Sequence, residues 1–187
     1  MIRASYAKTV IGGIKRRPEK ECAALLRGIG DDLRGEIRNY GMLEWMPAAR
    51  FVELVRAIAT TLGDDGAKRF WRANLLLSLE RRLLSPLRLG AIAIYGNSPR
   101  SLLKMTPQAW ELVTRDGGTC RTQDKPPNSI VLCFDSLPHE LRDPAMYSLW
   151  TGGSESCLER MGFTGTAQAA AGATANSVEI TVIWASR

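Results

Sequence analysis

The stretch from Pro144 to Met161 reads PAMYSLWTGGSESCLERM, and it decides more about the fold than any other part of the chain. Its length and its apolar residues predict a helix that belongs to the core. Two adjacent glycines, Gly152 and Gly153, fall inside this helix, although glycine costs about 1 kcal/mol relative to alanine in a helix interior. We therefore expect another element of the fold to approach the helix closely at this point.

The residues on either side of this helix have the pattern of β-hairpins. Residues 178–184 alternate between apolar and polar side chains, which is typical of a half-buried strand. Together with residues 164–171 they predict one hairpin. Residues 119–122 and 130–134 flank the turn-forming stretch Asp124-Lys125-Pro126-Pro127-Asn128 and predict another.

The first two thirds of the chain predict mainly helices. Residues 2–14 leave strand and helix open, and residues 41–47 predict a loop. An apolar stripe over 51–62 predicts a helix that ends between Gly63 and Gly66. Further helices are predicted for 18–30, 31–39, 67–84, 98–105 and 106–117. Residues 87–95 leave helix and strand open, and their helical neighbours favour helix. The fold class is α+β, with the N-terminal and central helices packed on a small antiparallel sheet built from the two C-terminal hairpins.

Composition indicates one globular domain. The chain has 187 residues, 45% hydrophobic and 24% charged, which is ordinary for a protein with a packed core. No window holds the roughly 18 uninterrupted apolar residues of a membrane span, and the N-terminus does not have the pattern of a signal peptide. We therefore expect a cytoplasmic protein. The net charge of +6 comes without a recognised binding motif, so we expect no nucleic-acid partner.

The cysteines and aspartates offer weak candidates for metal or redox chemistry. Cys22, Cys120, Cys133 and Cys157 form no CxxC pair, so we expect free thiols and no metal site. A disulfide between Cys120 and Cys133 across the hairpin stays open as an alternative. Three aspartates around that hairpin could hold a cation, but aspartates in such positions are more often caps and turn formers: Asp116, Asp124 and Asp135.

The candidates for catalysis are equally weak. His139 is the only histidine and follows Pro138, so it is typical of a loop rather than of a general acid or base. Ser154, Ser156 and Cys157 carry nucleophilic atoms, but no partner histidine is placed beside them by the sequence. We therefore expect no catalytic residues and a protein that is not an enzyme.

Several short segments resemble a fold group that contains the heme-NO-binding sensor domains, the 4-vinyl-reductase-type small-molecule-binding domains and the TRAPP vesicle-tethering subunits. Within it, the chain most resembles an uncharacterised bacterial family. The resemblance divides the single domain, residues 1–187, into an N-terminal helical segment at 1–44 and a core at 45–187. The matching segments are Phe51-Val52-Glu53-Leu54, Phe70-Trp71-Arg72, Gly96-Asn97-Ser98-Pro99 with Leu102-Leu103, Pro107-Gln108-Ala109-Trp110, Leu137-Pro138, Tyr147 through Gly162, and the final strand with Trp184.

The chain departs from each of these relatives at the residues that carry their function. A heme-NO sensor requires an axial histidine on a packed helix and a Tyr-x-Ser-x-Arg motif. Here the nearest match, starting at Tyr147, has Leu149 and Thr151 at the two later positions. The clustered cysteines of the 4-vinyl-reductase type are absent after Cys157, and no cysteine matches the acyl-chain site of TRAPP subunits. We therefore expect no heme, metal or other cofactor.

The resemblance and the large rings of the predicted core together favour a non-enzymatic small-molecule-binding or sensory domain in signalling, with an apolar pocket. A solid core stays open as an alternative; the chain would then be a protein–protein interaction or scaffold module without ligand. The expected partners are a small apolar ligand and either a second copy of the chain or a signalling protein. The residues predicted to line the pocket are Trp71, Leu75, Tyr95, Tyr147, Trp150, Gly153 and Ser154.

Overall fold

The computed structural model of the chain describes residues 1–79, 89–90, 96, 98–125 and 127–185. Helices dominate the described residues up to 113, and strands dominate from 119 onward except for one long helix. The mixed helix-and-sheet class predicted from the sequence is therefore what the structure has. Predicted elements at 80–88 and 91–95 lie outside the described residues.

The N-terminal segment contains three helices and an unpredicted strand pair. Strand β1 is Ile2–Arg3, and helix α1, Ala4–Ile14, follows it directly. Strand β1 pairs antiparallel with β2, Trp45–Met46, in a two-stranded sheet. The prediction of a loop over 41–47 and of a single sheet was therefore wrong at this point, since two-residue strands carry too little pattern to be recognised. Helices α2 and α3 are Glu19–Ile29 and Asp31–Asn39.

Helix α4, Ala48–Leu79, is continuous except for a kink at Gly63, where φ is 68° and ψ is 170°. That backbone conformation is readily adopted by glycine and strained for other residues, so the predicted helix end at Gly63 marks a real break in the helical geometry. Before the kink, the predicted apolar stripe faces the core: Phe51, Leu54, Val55 and Ile58 are all buried.

Two short helices precede the main sheet. Helix α5 is Pro99–Leu103, and the hydroxyl of its N-cap residue Ser98 accepts a hydrogen bond from the Ser101 amide, as the Ser-Pro pair predicts. Helix α6, Thr106–Val113, also has proline in its first turn. It ends before Gly117, because Thr114 turns to an extended conformation.

The two predicted hairpins join into one four-stranded antiparallel sheet. The strands are β3, Thr119–Lys125; β4, Ser129–Asp135; β5, Gly165–Ala171; and β6, Val178–Trp184. Their spatial order is β3-β4-β6-β5, so the hairpins meet through β4 and β6. The buried side chains of the two central strands form the floor of the core: Ile130, Leu132 and Phe134 from β4, and Val178, Ile180, Val182 and Trp184 from β6.

Helix α7, Ala145–Arg160, packs between α4 and the sheet. At Gly152 the two helices approach so closely that a Cβ atom would overlap the Lys68 carbonyl oxygen and lie 3.1 Å from both the Arg72 amide nitrogen and the Trp71 Cβ atom. The close approach predicted from the glycine pair is therefore present, and the approaching element is α4.

A buried ion pair ties α4 and α7 to the edge of the sheet. Glu155 on α7 lies 2.7 Å from the Lys68 Nζ atom on α4. The Glu155 carboxylate accepts a hydrogen bond from the Ala167 amide at 3.0 Å, and Lys68 donates to the Ala167 carbonyl oxygen at 3.1 Å. Ala167 belongs to the edge strand β5, so the pair satisfies backbone groups that β6 does not reach.

Apolar residues of the N-terminal segment and of the remaining chain share one buried cluster, which runs from Ile2 to Trp184. No helix among the described residues has both the length and the apolar character required to span a bilayer. A short 3₁₀ helix, His139–Arg142, connects β4 to α7.

Candidate functional site

A partly open cavity of about 160 Å³ is lined by core residues, and we call it the central cavity. Its described lining residues come from β1, α1, α4, α5, α6, β4 and α7, so helices from both halves of the chain and one strand of the main sheet border it. The lining is mostly apolar, and none of the described lining side chains is an acid, a lysine or an arginine.

One face of α7 forms a wall of the central cavity. Its lining residues follow helical spacing, with steps of three or four residues that return to the same side of a helix. Gly153 and Ser154 are the smallest of them, and their size leaves room beside the larger side chains. The six are Met146, Leu149, Trp150, Gly153, Ser154 and Cys157.

Three aromatic rings form the adjoining wall. Phe134 on β4 stacks on Trp150 with ring centroids 5.0 Å apart and an interplanar angle of 7°. Trp110 on α6 meets Phe134 edge to face at 5.1 Å. Such contacts restrain ring orientation and add to the stabilisation from burial, so this wall is rigid.

The polar groups around the cavity divide into two kinds. The hydroxyl of Ser154 donates to the Trp150 carbonyl oxygen at 2.9 Å, and that of Thr114 donates to the Trp110 carbonyl oxygen at 2.8 Å. The indole nitrogens of Trp110 and Trp150 are buried and have no acceptor among the described residues. A buried donor without an acceptor costs about 1–3 kcal/mol. Both nitrogens are closed off even from a water molecule, so neither faces the open space of the cavity.

The structure brings together four of the seven residues predicted to line a pocket: Leu75, Trp150, Gly153 and Ser154. Trp71 is buried behind α7, beside Gly152, and does not line the cavity. Tyr147 also lies outside the lining, with its ring 6.2 Å from that of Trp150. Tyr95 lies outside the described residues. A ligand contact at each of these positions stays a prediction.

Sequence reasoning missed the contribution of α5, α6 and β4. Trp110 and Phe134 supply much of the aromatic wall, yet each sits alone in a short element. The Pro107-Gln108-Ala109-Trp110 segment was recognised only as part of a resemblance. No local pattern shows that Trp110 and Phe134 converge on Trp150, because the three residues are brought together by tertiary packing.

The structure does not place the histidine in the cavity with the nucleophilic side chains of α7. His139 is exposed on the 3₁₀ helix and does not line the cavity. The Ser156 hydroxyl donates to the Gly153 carbonyl oxygen at 2.6 Å, within its own helix. Burial raises the pKa of the Cys157 thiol to about 12, so it is a neutral thiol at physiological pH and a poor nucleophile.

The hairpin residues do not form a metal site either. Asp124 pairs with Arg100 and Lys104, and Asp135 pairs with Arg121. Among the described residues no cluster of three or more metal-ligating side chains occurs. Cys120 lies opposite Phe134 and Cys133 lies opposite Arg121, so the two cysteines face opposite sides of the sheet. Both are free thiols, as are Cys22 and Cys157.

Solved structures with the same fold are H-NOX domains, which have the heme-NO-binding fold. A mutant H-NOX protein from K. algicida matches with a TM-score of 0.66 at 9% identity, covering 100% of this chain and 98% of its own. A mutant H-NOX from T. tengcongensis matches with 0.65 at 10%, covering 99% and 98%. An oxygen-binding H-NOX domain related to soluble guanylate cyclases matches with 0.63 at 11%, covering 99% and 96%. No protein-family model and no curated protein matches the sequence.

At these identities the likeness establishes the fold and nothing more. It supports the heme-NO-binding part of the resemblance seen in the sequence. It also raises the question of heme, since H-NOX domains are heme proteins.

The described residues do not fit a heme. The only histidine of the sequence, His139, is exposed and outside the cavity, so it offers no axial ligand there. The described lining offers no basic side chain for the propionates, and a volume of about 160 Å³ falls below the 300–1,000 Å³ of sites for larger ligands. We derive no chemistry through heme.

Proposed function

We propose that this chain is a non-enzymatic small-molecule-binding domain that senses a small, mostly apolar ligand in the central cavity. The observation that carries the proposal is the cavity itself, with its apolar lining and its rigid aromatic wall. Ligand sites are usually concave and apolar with few polar groups, and this cavity has that composition.

The volume limits the size of the ligand. An engineered protein cavity of about 150 Å³ stays dry and binds benzene or xenon. The central cavity, at about 160 Å³, would therefore hold a molecule of about one aromatic ring.

Helix α7 offers a route from ligand binding to a signal. One face of the helix lines the cavity, while Gly152 and Glu155 contact α4 and the edge strand β5. If α7 can take two positions, a ligand that binds more tightly to one of them increases the population of that position. The movement of α7 would change the sheet edge at β5, where we propose that a signalling partner or a second copy of the chain binds.

The test uses toluene and benzonitrile, two molecules of similar size of which only benzonitrile has an acceptor. Titration of the ¹⁵N-labelled full chain should move the amide signals of residues 150–157, with a Kd of about 1 mM or tighter. Toluene should bind at least as tightly as benzonitrile, because the cavity offers mostly apolar contacts. Native mass spectrometry of freshly purified protein would show in parallel whether a ligand is retained and how many chains associate.

Variants locate the binding. Gly153→Leu and, from the opposite wall, Ala109→Leu should abolish binding because each fills the cavity. Gly12→Leu is the matched control, since Gly12 is also a helical glycine with open space but lies outside the cavity. If neither compound binds, or if binding survives both filling variants, the proposal is wrong. A ligand-free dimer would then favour a protein–protein interaction module.

A further inference from the structure

A second concave site lies between α1, α2 and α3, and we call it the basic cleft. Its volume is about 340 Å³, and it shares no lining residue with the central cavity. Four basic side chains line it, two from α1 and its C-cap and two from α3: Lys8, Lys15, Arg34 and Arg38. The only acid in its described lining is Asp31.

Helical spacing places the basic groups on facing walls. Lys8 on α1 and Lys15 at its C-cap are seven residues apart, and Arg34 and Arg38 are four apart on α3, so each pair lies on one side of its helix. The Lys8 ammonium donates to the Arg38 carbonyl oxygen at 3.0 Å and joins the two walls. The walls of the cleft are therefore set by packed helices.

The positive charge in the cleft is only partly compensated. Arg34 pairs with Asp31 and also donates to the Gly30 carbonyl oxygen at 3.1 Å. The side chains of Lys15 and Arg38 have no carboxylate partner among the described residues.

The other acids of α3 point away from the cleft. Asp32 and Glu36 both pair with Arg50 on α4, at 2.6 Å in each case. These pairs hold both carboxylates beside Arg50, away from the cleft. The cleft is left with an excess of cationic groups, and a bound anion would neutralise it.

The cleft also has an apolar floor and free space above it. Ile11, Leu26 and Ile37 supply apolar surface between the basic walls. Gly35 lies in the lining, and a Cβ atom built on it would meet nothing within 4 Å. A ligand here would contact charge at its sides and hydrocarbon beneath it.

We propose that the basic cleft binds a phosphate monoester whose organic part is apolar. Arginine presents a planar fork of donors that matches phosphate oxygens, and lysine adds a point charge. Arg38 and Lys15 would hold the phosphate, and the apolar part would cover the floor beside Gly35. This site is independent of the one proposed for the central cavity.

The test titrates the ¹⁵N-labelled full chain with phenyl phosphate, inorganic phosphate and phenol at constant ionic strength. Phenyl phosphate should move the amide signals of residues 11, 15, 35 and 38 and bind at least tenfold more tightly than either fragment. Added salt should weaken the binding of phenyl phosphate, because the cationic groups of the cleft lie near the surface, where ions screen them. Vesicles containing phosphatidic acid, compared with neutral vesicles, distinguish a lipid phosphate from a free ester. Binding of either one supports the site if Gly35→Leu abolishes it and Arg38→Gln weakens it.

Two variants and one control place the binding in the cleft. Gly35→Leu should abolish it by filling the space, without loss of folding, because leucine favours helix more than glycine does. Arg38→Gln should weaken it about tenfold, as expected for the loss of one charge-assisted hydrogen bond. The matched control for the arginine variant is Arg27→Gln, which changes the same residue type outside the lining of the cleft.

The proposal is overturned by any of three results. Equal affinity for phenyl phosphate and inorganic phosphate would remove the role of the floor. Binding that Gly35→Leu and Arg38→Gln leave unchanged would place the ligand elsewhere. A tetraglutamate peptide that competes with phenyl phosphate and binds more tightly would indicate an acidic protein partner instead.

Discussion

The two sides of helix α7 are packed in opposite ways. Toward α4 the backbones meet at Gly152, where there is no space for even one methyl group. Toward the central cavity, Gly153 leaves space, and the nearest atom to a Cβ built there is the Leu75 Cδ2 atom at 3.4 Å. Two neighbouring glycines therefore serve different purposes, one for close packing and one for an open wall.

The comparison shows that residue type alone does not reveal what a glycine does. At Gly152 the Lys68 carbonyl oxygen excludes any side chain, so glycine is required there. At Gly153 nothing in α4 excludes a small side chain. A fold under pressure only for stability would gain by placing alanine at the second position, since alanine is the better helix former.

The largest effect is expected at the packed side. Gly152→Ala should lower the free energy of unfolding by about 3 kcal/mol, because the added methyl group forces α4 and α7 apart. Urea denaturation followed by circular dichroism measures it. A loss below about 1 kcal/mol would mean that the helices move apart easily and that the contact is not tight.

The next effect concerns the ion pair that joins both helices to the sheet. Glu155→Ala should cost about 2 kcal/mol, because the Ala167 amide and Lys68 lose their partner in a buried site. Glu159→Ala is the matched control one turn away. Its pair with Arg72 is half exposed, so the cost should stay below about 1 kcal/mol. Equal losses at the two positions would contradict the role assigned to burial.

A smaller effect of opposite sign is expected on the open side. Gly153→Ala should raise the free energy of unfolding by up to about 1 kcal/mol through helix propensity, since the methyl group meets only the flexible end of Leu75. The same denaturation experiment measures it. If this variant is destabilised as much as Gly152→Ala, the two sides of α7 do not differ and the comparison fails.

The smallest effect is expected at His139. The side chain is exposed and distant from the cavity lining, so His139→Ala should change the stability by no more than about 0.5 kcal/mol. Benzonitrile binding should be unchanged as well. A marked loss of binding would show that the 3₁₀ helix takes part in the site.

Much of the local structure could be predicted from the sequence because its causes are local. The Ser98 cap, the kink at Gly63 and the turn between β3 and β4 depend on side chains within a few residues of each other. The strand pair β1–β2 could not, since two residues show no period. Its pairing joins segments more than 40 residues apart.

The candidate site was predicted only in part, and the reason is the rotational setting of α7. The helix is apolar or small on most of its surface, so its sequence does not show which side faces which neighbour. Tyr147 was expected in the lining, whereas Leu149 and Met146 occupy it. Glu155 would be placed on a solvated face by its charge, yet it is buried through its pair with Lys68.

The sequence by itself determined the order and extent of most helices and strands and the mixed class of the fold, because periodicity, caps and turns act over short distances. Only the tertiary structure decided which side of α7 closes on α4 and which side opens to a cavity. The physical reason is that these spaces are set by atoms far away in the chain. The Lys68 carbonyl oxygen excludes a side chain at Gly152, and the rings of Trp110 and Phe134 bound the space beside Gly153.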